Sequence, residues 1–382
     1  MTQKKVLIMS ASIGSGHTQA ARAVAEYIRS LPEACDVEEL DFLSNDSLSI
    51  DNLVKETYIK ILDVFPMLYD LMYSSSQEHK KGQAVKTMIA YSLRRRMQHI
   101  LAEKKPDIII CTHPFPAGPA TLLKRQHKLS IPIVGVITDF AVHQLWVYPQ
   151  LDLYCVAATQ LKDQLMKQGI PEDRILVSGI PVRQAFQGRH WQGNRRANNI
   201  LIMGGGLGLG SMKHTLTELD TLDCIQQFTV VTGHNADLFD EINTLKKSLT
   251  HHVELLGYTN QIPELMEQAS LLVTKPGALT CTEAATVQVP LLLSNALPGQ
   301  EEENAAYLRD KGCAVWVKDD SKIAKVTKEL LTHPQKLEDM SRASLSCHRN
   351  GARSIGTQVL RLLYPGERDT VPTAPPLYVP EA

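Results

Sequence analysis

Between an apolar run and a helical segment that ends before Pro290 lies Lys275-Pro276-Gly277-Ala278-Leu279-Thr280-Cys281-Thr282-Glu283-Ala284-Ala285. A small-residue turn that opens a helix presents backbone N–H groups lacking intrahelical partners, together with the positive end of the helix dipole. The ligand that suits it is a phosphate. Six residues past Gly277, Glu283 falls on the first turns of that helix, where a carboxylate can accept two hydroxyl hydrogen bonds from a ribose. Phosphate and ribose together describe a nucleotide. An ordinary helix start with a solvated glutamate presents the same residues, so this segment alone leaves both uses open.

A second chemical group sits near the start, in Ala11-Ser12-Ile13-Gly14-Ser15-Gly16-His17-Thr18. In P-loop register its first glycine would be Ala11 and its lysine His17, which removes kinase and ATPase chemistry. The run Gly204 to Gly210 fails as a dinucleotide fingerprint, because GxGxxG from Gly204 meets Leu209 and from Gly206 meets Ser211. What Gly14-Ser15-Gly16-His17 offers is an imidazole at a helix start, where the dipole disfavours the imidazolium and keeps a neutral base near pH 7. A helix cap or core histidine is the alternative use. Thr138-Asp139-Phe140-Ala141-Val142-His143-Gln144-Leu145-Trp146 follows an apolar run at 133–137. Its polar groups therefore lie at the carboxyl edge of a strand, where open α/β sheets bind ligands. Asp139 there can orient His17, hold a substrate hydroxyl, or cap a loop or helix. Thr112-His113-Pro114-Phe115, after the strand at 108–110, either reaches the same place or caps its turn.

The elements that must position these groups repeat one grammar twice. The first half opens with a strand at 6–10, a glycine turn and a helix from about His17 to Ser30, with strands at 108–110 and 133–137 following. The second opens at Asn199, with further strands near 228–232, 253–256, 271–274, 291–294 and 314–317. Strands alternating with helices imply parallel α/β sheets. We place a first domain at 1–187, a polar linker at 188–198, a second domain at 199–345, a helix at 346–364 that returns toward the first domain, and a proline-rich, disordered tail at 365–382. An inserted helical region spans about 50–101. Val54, Tyr58, Ile61, Leu62 and Phe65 recur there at helical spacing, and His79 to Ala102 carries Lys80, Lys81, Lys86, Arg94, Arg95 and Arg96 without an acidic residue. Such a stretch either lies on an anionic membrane surface or is a solvated helix face.

The 382 residues permit two domains, and 40 Lys and Arg against 41 Asp and Glu leave no global field to recruit nucleic acid. Seven scattered cysteines, without a CxxC pair, argue against a disulfide framework or a zinc site. The N-terminus leads directly into a strand, leaving no room for a signal peptide, and no apolar stretch approaches transmembrane length. A cytoplasmic protein, at most peripheral to a membrane, is expected.

After Glu283 come the strand Leu291-Leu292-Leu293 and the loop Pro298-Gly299-Gln300-Glu301-Glu302-Glu303-Asn304. This order resembles the donor half of UDP-sugar glycosyltransferases of the GT-B architecture, two Rossmann-like domains with parallel sheets facing a central cleft. Most similar is the family of monogalactosyldiacylglycerol synthases and processive diacylglycerol glucosyltransferases, whose Thr-Asp-Phe…His…Trp segment and Gly-x-Gly-His turn also occur here. The resemblance covers about residues 4–364. It implies UDP-sugar contacts at Gly206, Gly277, Ala278, Leu279, Thr280, Glu283, Gln300 and Glu301, with Gln300 and Glu301 on sugar hydroxyls. It implies His17 and Asp139 as catalytic groups, Gly16 and His143 as acceptor or phosphate contacts, and the basic region as the acceptor and membrane face. Leu207 stands where the family often has Glu, and His234 where Lys or Arg is common. The implied activity is inverting transfer of a hexose from UDP-sugar to a lipid hydroxyl, such as diacylglycerol or a glycosyl-diacylglycerol, at the inner face of the cell membrane. No Asp-x-Asp motif is placed for a metal, Asp319-Asp320 reads as a solvated turn, and neither metal nor cofactor is expected beyond the UDP-sugar. The rival activities are a UDP-sugar epimerase and a non-catalytic nucleotide or lipid sensor.

Overall fold

The computed structural model describes residues 3–12, 15–32, 35–44, 79–192, 198–206, 208 and 211–365, with side chains from 86 onward in the segment beginning at 79. The periodic residues from Val54 to Phe65, Leu207 and most of the tail lie outside the described residues. Apolar runs such as Ile108–Cys111, Leu271–Thr274 and Leu291–Leu293 are buried on both faces, as central strands of parallel sheets must be.

Strands β1 (Lys4–Ser10), β2 (Cys35–Asp41), β3 (Ile108–Cys111), β4 (Ile133–Val136), β5 (Leu153–Val156) and β6 (Ile175–Val177) form one parallel sheet in the order β2-β1-β3-β4-β5-β6. A second parallel sheet, β12-β11-β10-β7-β8-β9, comprises β7 (Asn199–Met203), β8 (Gln227–Val231), β9 (His252–Leu256), β10 (Leu271–Thr274), β11 (Leu291–Leu293) and β12 (Ala314–Trp316). Strand order reverses between β1 and β3 in the first sheet and between β7 and β10 in the second. At such a reversal the connections leave in opposite directions and open a crevice at the carboxyl ends of the strands.

The helices pack around these sheets. They are α1 (Ser15–Arg29), α2 (His79–Ser92), α3 (Arg94–Lys104), α4 (Pro114–Arg125), α5 (Thr159–Lys167), α6 (Met212–Leu219), α7 (Ala236–Leu245), α8 (Ile262–Gln268), α9 (Ala278–Val287), α10 (Gln300–Asp310), α11 (Ile323–Leu331), α12 (Pro334–Ser344) and α13 (Gly351–Leu363). The final helix belongs to the core of the first sheet: Ile355, Val359 and Leu363 pack with Val24 and Ile28 of α1 and with Val6, Ile8, Ile108 and Ile110. Gly356 lets it approach closely, since a Cβ there would press on the Tyr27 ring. A second crossing sits at Gly351, where a Cβ would lie 2.7 Å from Gly179 O.

The basic stretch forms α2 and α3, but its charges do not share one face. Lys86 and Arg96 are buried. Lys86 Nζ donates to Val147 O, and Arg96 Nη2 donates to Ser44 O while its guanidinium lies over the Phe42 ring. Arg95 of α3 stays outward, and Met88 and Tyr91 of α2 are exposed. Among the described residues no helix is long and apolar enough to cross a membrane.

Candidate functional site

Both reversal points carry glycine turns, and the fold brings the two turns together. Ser15-Gly16-His17 follows β1, and Gly204-Gly205-Gly206 follows β7. A Cβ at Gly206 would sit 2.5 Å from Ser15 Oγ, and one at Gly16 would be 3.8 Å from Leu279 Cβ. The start of α1 therefore meets both the glycine run and the start of α9 across the cleft.

On the first side, His17 Nδ1 lies 2.9 Å from Thr112 O and 2.8 Å from Thr138 Oγ1. A carbonyl can only accept, so Nδ1 carries the proton and Nε2 keeps its lone pair. Thr112 Oγ1 donates back to His17 O at 3.0 Å, fixing the turn. Burial lowers the imidazole below its ordinary 6.5; Asp139 and the Thr112 carbonyl oppose this, and His143 adds to it. The result is a neutral base at pH 7. Asp139 and His143 are both buried and within electrostatic reach of His17. Of the uses open to Asp139, orienting the ring by a direct bond is not realised: Thr112 and Thr138 hold the ring. His113 resolves as a cap, its Nδ1 accepting the Phe115 N–H at the start of α4 while its ring meets His17 edge-on at 4.6 Å.

On the second side, Gly277 is the N-cap of α9, and the first helical bond runs from Cys281 N–H to Gly277 O. The N–H groups of Ala278, Leu279 and Thr280 thus precede the intrahelical ladder. A Cβ at Gly277, the residue before them, would meet no described atom within 4 Å. Glu283 is buried and accepts no hydrogen bond from a described residue. Burial raises its carboxyl to about 7, opposed by Arg183. A buried acceptor without a donor is costly, and hydroxyl donors from a ligand would satisfy it.

Glu301, an expected sugar contact, already has partners within the chain. Its Oε1 is paired with Lys275 Nζ at 2.5 Å and its Oε2 accepts the Leu297 N–H at 3.0 Å, tying the 298–301 loop to the Lys-Pro-Gly turn. Gln300 begins α10 at the edge of this arrangement. His234, downstream of β8, stacks on the exposed Tyr258 with centroids 4.2 Å apart. Asp319 caps a short turn through Ser321 N–H, as a solvated turn requires. Among the described residues no group of three or more His, Cys, Asp or Glu is placed to hold a metal ion.

Sequence reasoning missed Asn304. It is buried at 1% exposure, its Oδ1 accepts the Phe140 N–H at 3.0 Å, and its Nδ2 donates to Pro276 O at 3.2 Å. One amide thus joins the residue after Asp139 to the residue before Gly277. Phe140 also stacks on Tyr307, three residues further along α10, at 4.5 Å and 15°. The one available signal was Asn304's place at the end of the Gln-Glu loop.

Residues 17–182 match the family model described as monogalactosyldiacylglycerol (MGDG) synthase, and residues 199–359 match the glycosyltransferase family 28 C-terminal domain. A processive diacylglycerol beta-glucosyltransferase of Bacillus cytotoxicus is 34% identical over 354 residues, covering 90% of this chain and 90% of that protein. The chain belongs to this glycosyltransferase family. Solved structures with 11–18% identity share the fold. They include MurG of Acinetobacter baumannii (TM-score 0.62, 94% of this chain and 99% of that one) and UDP-GlcNAc 2-epimerase of Neisseria meningitidis (TM-score 0.57, 95% and 100%). The architecture is GT-B.

Proposed function

We propose that this glycosyltransferase moves a hexose from UDP-sugar to a diacylglycerol or glycosyl-diacylglycerol hydroxyl, inverting the anomeric centre without a metal. The observation that carries the mechanism is the approach of the start of α1, where Thr112 O holds the Nδ1 proton of His17, to the start of α9, whose Leu279 Cβ would lie 3.8 Å from a Cβ on Gly16. His17 takes the acceptor proton as the hydroxyl attacks the anomeric carbon, and the bond to the UDP oxygen breaks on the opposite face. The negative charge arriving on the diphosphate is met by the N–H groups of Ala278, Leu279 and Thr280 and by the helix dipole. Glu283 holds the ribose hydroxyls, Gly206 leaves space for the phosphates, and Gln300 is offered to the sugar. Glu301, bound to Lys275, braces the turn. Asp139 stabilises the imidazolium that forms, while Gly16 and His143 border the acceptor. In this reading the acceptor approaches from a membrane at the cytoplasmic face, against which Met88, Tyr91 and Arg95 rest.

The epimerase reading draws on shared fold alone, whereas 34% identity along 90% of the chain supports transfer to a lipid. Incubation with a panel of UDP-hexoses and diacylglycerol vesicles, with the glycolipid identified by mass and its anomer by NMR, tests the proposal. A β-linked glycosyl-diacylglycerol is expected. A UDP-sugar isomer formed without lipid would overturn it.

A further inference from the structure

Away from the cleft, between α2, α4 and the segment that continues past Trp146, lies a cavity of about 190 Å³. That is far more than the ~10–15 Å³ that one water needs. It exists because small residues face each other there: Ala90 and Gly118 line it, and a Cβ at Gly118 would come within 2.8 Å of Tyr148 Oη.

Its polar lining is one-sided. Lys86 is only 5% exposed, yet its ammonium is met by neutral partners: Val147 O at 2.5 Å and the Tyr148 ring, whose centroid is 4.4 Å away. A buried cation ordinarily finds a carboxylate, because desolvating an unpaired charge is expensive. Among the described residues no acidic one lines this cavity. The cost is visible in Lys86 itself, which burial pushes down to about 8, leaving it mostly charged at pH 7. Arg125, exposed at the same cavity, makes no ion pair with a described residue, and the Tyr148 hydroxyl has no hydrogen-bond partner among them. An ammonium, a guanidinium and a phenol, all donors, therefore line one space with no acid among the described residues opposing them.

We propose that this cavity is a second anion site, taking the phosphate of a phosphate-bearing ligand on Lys86, Arg125 and the Tyr148 hydroxyl. Arginine and lysine together suit a phosphate, one by its planar fork and the other as a point charge. The bound anion supplies the counter-charge that Lys86 lacks among the described residues. It also fixes Val147 and Tyr148, a short step along the chain from His143, so occupancy of this site steadies the acceptor side of the cleft. The cavity shares α2 with the exposed Met88 and Tyr91, which places a lipid headgroup within reach as readily as a free phosphate.

The test uses the full chain with UDP present to occupy the donor turn. Calorimetric titration with inorganic phosphate and with glycerol 3-phosphate is run beside co-sedimentation with phosphatidylcholine vesicles, with and without phosphatidic acid, for wild type, Lys86→Met and Arg125→Gln. Lys86→Met keeps the buried stem and removes the charge, and Arg125→Gln changes an exposed side chain, so the fold is not at stake in the second. Wild type should bind a phosphate-bearing probe, and each variant should bind it about tenfold or more weakly, the effect of losing one charged hydrogen bond. Binding of the soluble phosphates assigns the site to a free phosphate, and binding only to phosphatidic acid vesicles assigns it to a headgroup. Equal binding by all three proteins, or no binding of any probe, overturns the site and leaves Lys86 as a structural donor to Val147.

Discussion

Replacing Glu283 by Gln should stabilise the unliganded protein and weaken its hold on UDP. The carboxyl is 7% exposed, and burial holds it at about 7 rather than 4.5. Because the folded value lies above the unfolded one, stability is intact below about 4.5 and declines as pH rises through 7. At about 1.36 kcal/mol per pH unit of difference, the full cost of keeping the ionised group folded is about 3 kcal/mol. A Gln has no charge to desolvate. The variant should therefore melt close to wild type at pH 5 and several degrees above it at pH 8.5, when both are free of nucleotide. The same substitution removes a charged acceptor from the ribose, so the UDP dissociation constant should rise roughly ten- to hundredfold. In the wild type, UDP affinity should fall as pH drops below 7, where the acceptor takes up a proton; in the variant that slope should be absent. Thermal melts at the two pH values and calorimetry with UDP decide the matter. Equal melting at pH 8.5, together with unchanged UDP affinity, would show that Glu283 faces neither a desolvating interior nor the nucleotide.

Asn304→Ala should cost about 1–3 kcal/mol of stability by leaving the Phe140 N–H and Pro276 O buried without partners, and should lower turnover more than UDP affinity; a melt and a kcat-against-Kd comparison check it. Since burial depresses the His17 imidazole, kcat measured at saturating UDP-sugar should stay level down to pH 6.5 and drop only below it, as the base gains a proton. Met88→Ser with Tyr91→Ser should weaken sedimentation with anionic vesicles at any salt, whereas Arg95→Gln should remove mainly the salt-sensitive part, read from binding at low and high ionic strength.

What could be read in the sequence was whatever is local. Runs such as Ile108-Ile109-Ile110 and Leu291-Leu292-Leu293 declare buried strands, and Gly277 before Ala278 declares a helix start, because the signal lies within a few residues. Strand β2 escaped notice: Asp36, Glu38 and Glu39 give an edge strand the look of a loop, since only Val37 and Leu40 turn inward. The contacts that complete the site are long-range. Thr112 and Thr138 reach His17 across 95 and 121 residues, and Asn304 reaches Phe140 across 164, distances over which no pattern in the chain predicts pairing. Lys86 and Arg96 show the converse. In a run of basic residues they look like surface charge, and only packing against Val147 and Ser44 turns them inward.

The most direct test of the account is UDP release from UDP-hexose by wild type and His17→Ala, with and without diacylglycerol vesicles. Release should require the lipid and fall about 10²–10⁴-fold in the variant, the usual contribution of a positioned base, while UDP affinity is little changed. Turnover within a fewfold of wild type in His17→Ala, or release indifferent to the lipid, would contradict it.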